Sequence, residues 1–340
     1  RETHILDRGQ YENRGKVVNR ATPAVLTPFP EGAPLDRLGL ARWLTSSDHP
    51  LLARVTVNRY WQMIFGRGLV STSEDFGMQG KPPSHPELLD WLSRDFIKSG
   101  WNLHHLLKKM VLSHTYRQES KILPNAQEID PENLLLSRAP AYRLPAEMIR
   151  DSLLAHSGLL HKKIGGPGAK PYDLKVSFKP INPDGAPNVY RRSVYTFWKR
   201  TGPTPVMMAL DASKRDVCTV RRERTDSASQ ALIMLNGTQF VETARATADI
   251  LIQNHGTTNP NDLIQEAFKK LTSRSPSEQE SKILQNLLEE QKKYFTDDKE
   301  TEKFLKVGYY QAKAKDKKYL AAVTSLVSTL MNFDGTLSKR

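Results

Sequence analysis

Apolar residues recur at the spacing of one helix face in segment after segment of this chain, and this periodicity most constrains its fold. Leu51, Val55, Asn58, Trp61 and Phe65 form one such set. Several of these segments begin after a residue that can cap a helix, and glycine follows others. The predicted helices cover residues 36–44, 51–65, 86–98, 103–111, 146–160, 231–252, 261–271, 277–294 and 317–331. The sequence therefore predicts a mainly α fold.

The remaining segments predict loops and a minor β component. Residues 3–34 have a short, extended pattern with several glycines and prolines, which indicates an arm laid on a larger body. Residues 165–188 are rich in Gly and Pro and too long for a tight turn, so we expect a long structured loop. We interpret Val189 to Trp198 as a β-ribbon. The expected organisation is an extended arm over 1–33, a main helical domain with a loop insertion over 34–252, and a C-terminal helical part over 253–340.

The charge of the chain predicts attraction to polyanions. Fifty basic and 37 acidic side chains give a formal net charge of +13. Most of the basic residues are spread along the sequence, which is also typical of a solvated surface. The longest apolar stretches, Ser152 to Leu160 and Tyr319 to Met331, are shorter than the roughly 20 residues that cross a bilayer. We therefore predict no membrane span.

Cysteine content limits the cofactors that this chain can hold. Cys218 is the only cysteine, so the chain has no internal disulfide, no thiolate-rich zinc site and no C-x-x-C-H motif for haem attachment. His104, His105 and His114 lack the H-E-x-x-H spacing of zinc proteases. We expect no metal and no cofactor. Because Arg1 rather than Met stands first, we also expect a fragment or a processed product.

Asp75 and His85 are the candidate catalytic residues. A carboxylate that binds an imidazole sets its tautomer and its pKa, as general acid–base catalysis requires. Arg59 and Arg67 precede the pair and complete a polar constellation. The alternative is local: Asp75 caps or pairs within its own turn, and His85 lies in the turn that enters a helix at Pro86.

The densest group of guanidinium side chains lies between positions 191 and 224, where seven arginines fall within 34 positions. Guanidiniums bind sulfate, carboxylate or phosphate in bidentate fashion, and neighbouring aromatic rings stack on a sugar or a base. The alternative is a set of buried ion pairs with Asp211, Asp216 and Glu223. The candidate ligand-binding residues are Arg191, Arg192, Tyr195, Trp198, Arg221, Arg222 and Arg224.

Several long motifs follow one another in fixed order along the chain: NRYW at 58–61, FGRGLV at 65–70, DFG at 75–77, HPELLDWL at 85–92, SHTYRQ at 113–118, RLPAEMIRD at 143–151, RRSVY at 191–195 and CTVRRERT at 218–225. Together they resemble one known family, the planctomycete secreted domain of unknown function that bears the number 1553. Weaker similarity, LDRGQY at 6–11 and LMNFD at 330–334, extends the resemblance over nearly the whole chain.

One departure from the family pattern follows Thr225. The family usually continues Asn-Thr-Pro-Leu-Gln-Ala-Leu, whereas this chain has DSASQAL at 226–232. The resemblance implies a C-terminal position in exported proteins, in the periplasm or outside the cell. It also implies other domains of the same protein as partners, in some proteins a c-type cytochrome domain. It implies no established activity.

Two functional hypotheses follow. The first is an accessory or binding domain of an exported multidomain protein, which binds an anionic ligand such as an acidic polysaccharide or docks a redox partner. The second is an enzyme that acts on a polyanionic polysaccharide, with Asp75, His85 and the arginines in its cleft. Nucleic acid ranks as an unlikely partner, because no recognised nucleic-acid motif accompanies the charge and export would separate the protein from cellular nucleic acid.

Overall fold

A computed structural model gives the fold and describes residues 2–176, 180–200, 202–256 and 259–339. Helices dominate these residues, which confirms the mainly α prediction. No helix among them is long and apolar enough to cross a membrane. The chain forms two compact units, residues 1–140 and 141–340. The predicted arm and two helical parts stay a prediction.

The first unit combines a small hairpin with helices. Its strands β1 and β2 are antiparallel, and Thr3 lies opposite Val18. Asp36 caps α1, because its carboxylate accepts hydrogen bonds from the backbone N–H groups of Leu38 and Gly39. The elements are β1 (Thr3–Leu6), β2 (Arg14–Val18), α1 (Arg37–Leu44), α2 (Leu52–Phe65), α3 (Pro86–Lys98), α4 (Leu103–Leu112), α5 (His114–Arg117) and α6 (Pro124–Ile129).

The core of the first unit forms where α2, α3 and α4 pack together. Each helix buries a stripe at the spacing that the sequence predicts. On α2 the rings of Trp61 and Phe65 stack with their centroids 4.0 Å apart. Asn58 is fully buried, and its side-chain amide exchanges two hydrogen bonds with the backbone of Val70, at 2.9 and 3.0 Å. The NRYW and FGRGLV motifs are therefore joined by a structural contact.

The second unit contains the three longest helices of the described residues, which have 15 to 18 residues each. A two-residue strand pair, β3 with β4, joins the beginning of this unit to its end. The elements are β3 (Tyr142–Arg143), α7 (Ala146–His156), α8 (Pro205–Ala209), α9 (Ala228–Asn236), α10 (Thr238–His255), α11 (Pro260–Thr272), α12 (Glu278–Tyr294), α13 (Asp298–Leu305), α14 (Lys317–Met331), α15 (Asp334–Leu337) and β4 (Ser338–Lys339).

Helices α10 and α14 make the central contact of the second unit. Ala244 and Ala248 on α10, and Ala321 and Ala322 on α14, are fully buried. These small side chains let the two backbones approach closely. Helices α7, α11 and α12 surround this pair and contribute larger apolar side chains to the same core.

The β-ribbon predicted for Val189 to Trp198 is wrong. The segment forms two short 3-10 turns, Asn188–Tyr190 and Ser193–Tyr195, with isolated bridges from Arg191 to His161 and from Thr196 to Ala169. The reason is that side chains of α7 bind the backbone groups that a ribbon would have paired. The preceding loop over 165–188 is present in the described residues, and its positions 177–179 lie outside them.

The predicted helix over 231–252 is two helices, α9 and α10, separated at Gly237. Gly237 has φ −65° and ψ 130°, which is extended backbone, and a Cβ atom there would lie 2.7 Å from the carbonyl oxygen of Ile233. The N-cap residues of α3 and α11 are His85 and Asn259, and neither side chain binds the backbone of its helix; the side chain of Asn259 binds Asp262 instead.

Candidate functional site

The candidate catalytic residues Asp75 and His85 both make local contacts in the first unit. Asp75 Oδ1 accepts a hydrogen bond from the backbone N–H of Gly77 at 2.7 Å. His85 Nδ1 lies 3.0 Å from the hydroxyl of Ser84. Within the part of the chain that the structure describes, no hydrogen bond or ion pair joins Asp75 to His85. Their catalytic role stays a prediction.

Arg191 and Tyr195 hold the backbone of the Gly- and Pro-rich loop. The guanidinium of Arg191 donates to the carbonyl oxygens of Lys163, Gly165 and Pro167 at 2.6 to 3.1 Å, and it stacks 4.0 Å from the Tyr195 ring. The Tyr195 hydroxyl accepts from the N–H of Gly165 at 3.0 Å. Arg191 is 4% exposed, so its guanidinium stabilises the fold and does not lie at the surface. Arg192 is exposed.

Arg150 and Asp151 on α7 form a buried network that the sequence analysis missed. Arg150 is 5% exposed and donates to the carbonyl oxygens of Val189 and Arg191, each at 2.8 Å, and to the Gln239 side chain at 2.6 Å. Asp151 Oδ1 accepts from the N–H and the hydroxyl of Ser193 at 2.8 and 2.7 Å. Burial lowers the pKa of Arg150. The RLPAEMIRD and RRSVY motifs thus meet in one structural network.

A long surface loop carries the remaining arginines, and its two ends are tied together. Asp211 Oδ2 accepts from the backbone N–H and the hydroxyl of Thr225, at 2.7 and 2.8 Å. We call residues 212–224, which lie between these ends, the arginine loop. Trp198 anchors the side of the loop, since its indole N–H donates to the carbonyl of Lys214 at 2.7 Å. The guanidinium of Arg215 stacks 4.6 Å from the Trp198 ring.

Three arginines of this loop lie at the surface in different settings. Arg221 is exposed and makes no hydrogen bond or ion pair within the described ranges. Arg222 is exposed and forms an ion pair with Glu147 at 2.7 Å. Arg224 places its guanidinium 4.2 Å from the Tyr142 ring, and this partial burial lowers its pKa although the residue as a whole is exposed.

The three acidic residues that the alternative pairs with these arginines, Asp211, Asp216 and Glu223, have other contacts or are exposed. Asp211 binds Thr225 and the Gln230 amide, whereas Asp216 and Glu223 are exposed. Neither Asp216 nor Glu223 forms an ion pair with an arginine among the residues that the structure describes. The arginines of the loop are therefore surface groups, and only Arg191 of the predicted set is buried.

A comparison with known families decides where this chain belongs. The model of the PSD1 family, described as a protein of unknown function (DUF1553), matches residues 36–288, which is more than half of the chain. The chain belongs to this family. The match confirms the family over residues 36–288, whereas the source, the export and the cytochrome domain that the resemblance implied stay predictions. No curated protein and no solved structure matches the chain.

The second unit of this PSD1 protein also contains a buried acidic and basic face on α10. Glu242, Arg245 and Asp249 occupy one helical face and are all less than 7% exposed. Glu242 accepts hydrogen bonds from the hydroxyls of Tyr172 and Tyr190 and from the N–H groups of residues 309 and 310, at 2.5 to 2.9 Å. Burial next to this carboxylate raises the pKa of Tyr190.

The same face of α10 holds the segment between α13 and α14. Arg245 donates to the carbonyl oxygens of Val307 and Tyr310 at 2.7 and 2.6 Å. Asp249 accepts from the Tyr310 hydroxyl at 2.6 Å and from the N–H groups of Lys313 and Ala314 at 2.9 and 2.8 Å. Since protein groups fill these positions, the face is a structural network for the PSD1 fold rather than an open site.

Metal ligation finds no support in the described ranges of the PSD1 chain, where no group of three or more His, Cys, Asp or Glu side chains could hold an ion. Among the histidines considered for a metal site, His105 instead binds Asp95 at 2.9 Å. Lys109 binds the other oxygen of the same carboxylate at 2.6 Å, and the two interactions lower the pKa of Asp95. The arginine loop remains the group of exposed charges with the clearest geometry for binding a ligand.

Proposed function

We propose that this PSD1 chain is an accessory binding domain of an exported multidomain protein, and that the arginine loop binds an anionic ligand. The observation that carries the proposal is the loop itself. Its ends are fixed by Asp211 and Thr225, while Arg221 and Arg222 project into solvent. A loop with fixed ends loses little conformational entropy when its guanidiniums bind an anion.

Three features make an acidic polysaccharide the ligand class that we favour. Guanidiniums bind sulfate and carboxylate groups in bidentate fashion. Arg215 is already stacked on Trp198, so an aromatic surface lies beside the charges. The net charge of +13 adds attraction at longer range to any polyanion. The acidic face of a redox partner, such as a c-type cytochrome domain of the same protein, is the other ligand that this surface fits.

Because Arg221 and Arg222 are exposed, removing their two charges should weaken ligand binding without affecting the fold. We expect the Arg221→Ala/Arg222→Ala variant to bind dextran sulfate about tenfold more weakly than the parent chain, a change of about 1.4 kcal/mol. Its melting temperature should hardly change, because the one ion pair that these arginines form with described residues, Arg222 with Glu147, is a surface pair worth about 0–1 kcal/mol. Isothermal titration calorimetry and thermal unfolding give the two quantities.

A charge-matched control separates the loop from the overall charge. Lys317→Ala/Lys318→Ala removes two cations from the same unit, where both lysines form surface pairs with Glu302 and Asp298. We expect this variant to bind within about twofold of the parent chain, since long-range attraction is shared by all surface charges. Equal losses in the two variants would contradict a site in the loop. A large drop in melting temperature for the arginine variant alone would show that its side chains hold the fold.

A further inference from the structure

A cavity in the first unit has the size and lining of a small-molecule site. It opens beside the start of α1 and has a volume of about 550 Å³. Sites for small ligands typically measure about 300–1,000 Å³ and are mostly apolar with a few polar groups. Phe29, Leu35 and Leu40 supply apolar lining, and Arg20 and Arg37 supply guanidiniums.

The apolar lining is open to water. Leu35 is 53% exposed and Leu40 is 46% exposed, although both side chains border the same cavity. An apolar group placed between them would remove this surface from water, which is favourable in proportion to the area covered. The cavity therefore favours a ligand with an apolar body.

The charged groups favour a ligand that is also an anion. Arg20 Nη1 donates to the carbonyl of Leu35, and its other N–H groups have no acceptor in the described part of the chain. Arg37 is exposed and forms no hydrogen bond or ion pair there. Asp36 also lines the cavity, but its Oδ1 accepts from the N–H groups of Leu38 and Gly39 at 2.9 and 3.0 Å. Two arginines and one aspartate, whose carboxylate caps α1, therefore line the cavity.

We propose that this cavity binds a small organic anion with an apolar body, of the class of aromatic carboxylates and sulfonates. The guanidinium of Arg37 binds the acidic group, and the side chains of Phe29, Leu35 and Leu40 cover the rings. The site lies in the first unit, whereas the arginine loop lies in the second, so either assignment can fail without the other.

The test uses the full chain and 8-anilinonaphthalene-1-sulfonate, whose fluorescence rises when its rings leave water. We expect saturable binding that Arg37→Glu weakens by about tenfold or more. The matched control is Arg42→Glu, the same charge reversal on the same helix at an exposed position that does not line the cavity, with binding within about twofold of the parent chain. A glutamate in the first turn suits the dipole of α1, so the first variant should fold.

Two results would overturn the proposal. Equal binding by the Arg37→Glu and Arg42→Glu variants would show that the dye binds elsewhere on the chain. Equal binding of the uncharged analogue N-phenyl-1-naphthylamine would show that the cavity selects apolar rings without regard to charge. Displacement of the dye by an aromatic carboxylate such as 2-naphthoate supports the proposed ligand class, and failure of that displacement counts against it.

Discussion

Replacing Arg150 by alanine is expected to lower the free energy of unfolding of the second unit by about 3–5 kcal/mol, the cost typical of breaking a buried charged network. The guanidinium is almost fully buried and binds two backbone carbonyls and the Gln239 side chain. Its loss leaves the buried Arg191 carbonyl without this donor and leaves the Val189 carbonyl with only the Gln239 amide at 3.3 Å, and a buried group left unsatisfied costs about 1–3 kcal/mol. The turns at 188–190 and 193–195 should loosen first, because Arg150 binds the Val189 carbonyl in the first turn and the Ser193 hydroxyl in the second.

Hydrogen exchange followed by mass spectrometry measures this effect within the second unit, since peptides from α10 report its stability directly. The matched control is Arg222→Ala, the same substitution at an exposed arginine, with an expected loss of about 0–1 kcal/mol. If the two variants exchanged at the same rate, the Arg150 network would not hold the fold.

A methyl group added at Gly308 is expected to destabilise the second unit more than the same change at Gly166. Both glycines have positive φ, +72° and +82°, so alanine costs about 1–2 kcal/mol of backbone strain at either position. At Gly308 the new Cβ would also lie 2.3 Å from Glu242 Oε1, whereas at Gly166 it would meet nothing within 4 Å. Because Glu242 is fully buried and hydrogen-bonded, it cannot move aside without losing its partners.

We therefore expect Gly308→Ala to cost about 1–3 kcal/mol more than Gly166→Ala, the range that overpacking a core typically costs. Urea denaturation of the two variants, followed by far-ultraviolet circular dichroism, gives the difference. Equal losses of stability would mean that the backbone conformation alone matters, and that the contact between residue 308 and Glu242 places no constraint on the fold.

Helical periodicity predicted the main elements of this chain, because the buried face of an amphipathic helix requires apolar residues at regular spacing in the local sequence. The prediction for α14, Lys317–Met331, agrees with the structure at both ends. Helical periodicity failed at Gly237, where a single residue with extended backbone divides a continuous helical pattern into α9 and α10. It also failed at Val189 to Trp198, because the partners of that backbone lie about 40 positions earlier on α7. Contacts at such separation leave no local periodic signal.

The arginines show the same limit for the candidate site. Composition grouped Arg191 with Arg221 and Arg222, yet the first is buried against carbonyl oxygens and the other two are exposed. The residue type alone does not distinguish a buried arginine from an exposed one, because a guanidinium can bind either backbone oxygens or water. The buried acids Glu242 and Asp249 were missed for a related reason. Each carboxylate lies between apolar residues of α10, and distant parts of the chain, residues 307–314 among them, supply the hydrogen bonds that bury it.

The salt dependence of dextran sulfate binding tests whether the exposed arginines of the loop bind an anionic ligand. Each cationic contact with a polyanion releases about one counterion, so the logarithm of the affinity falls with the logarithm of the salt concentration in proportion to the number of contacts. We predict that this slope is smaller by about 2 in the Arg221→Ala/Arg222→Ala variant than in the parent chain. The Lys317→Ala/Lys318→Ala control should keep the parent slope. If the arginine variant kept the slope of the parent chain, Arg221 and Arg222 would make no contact with the polyanion.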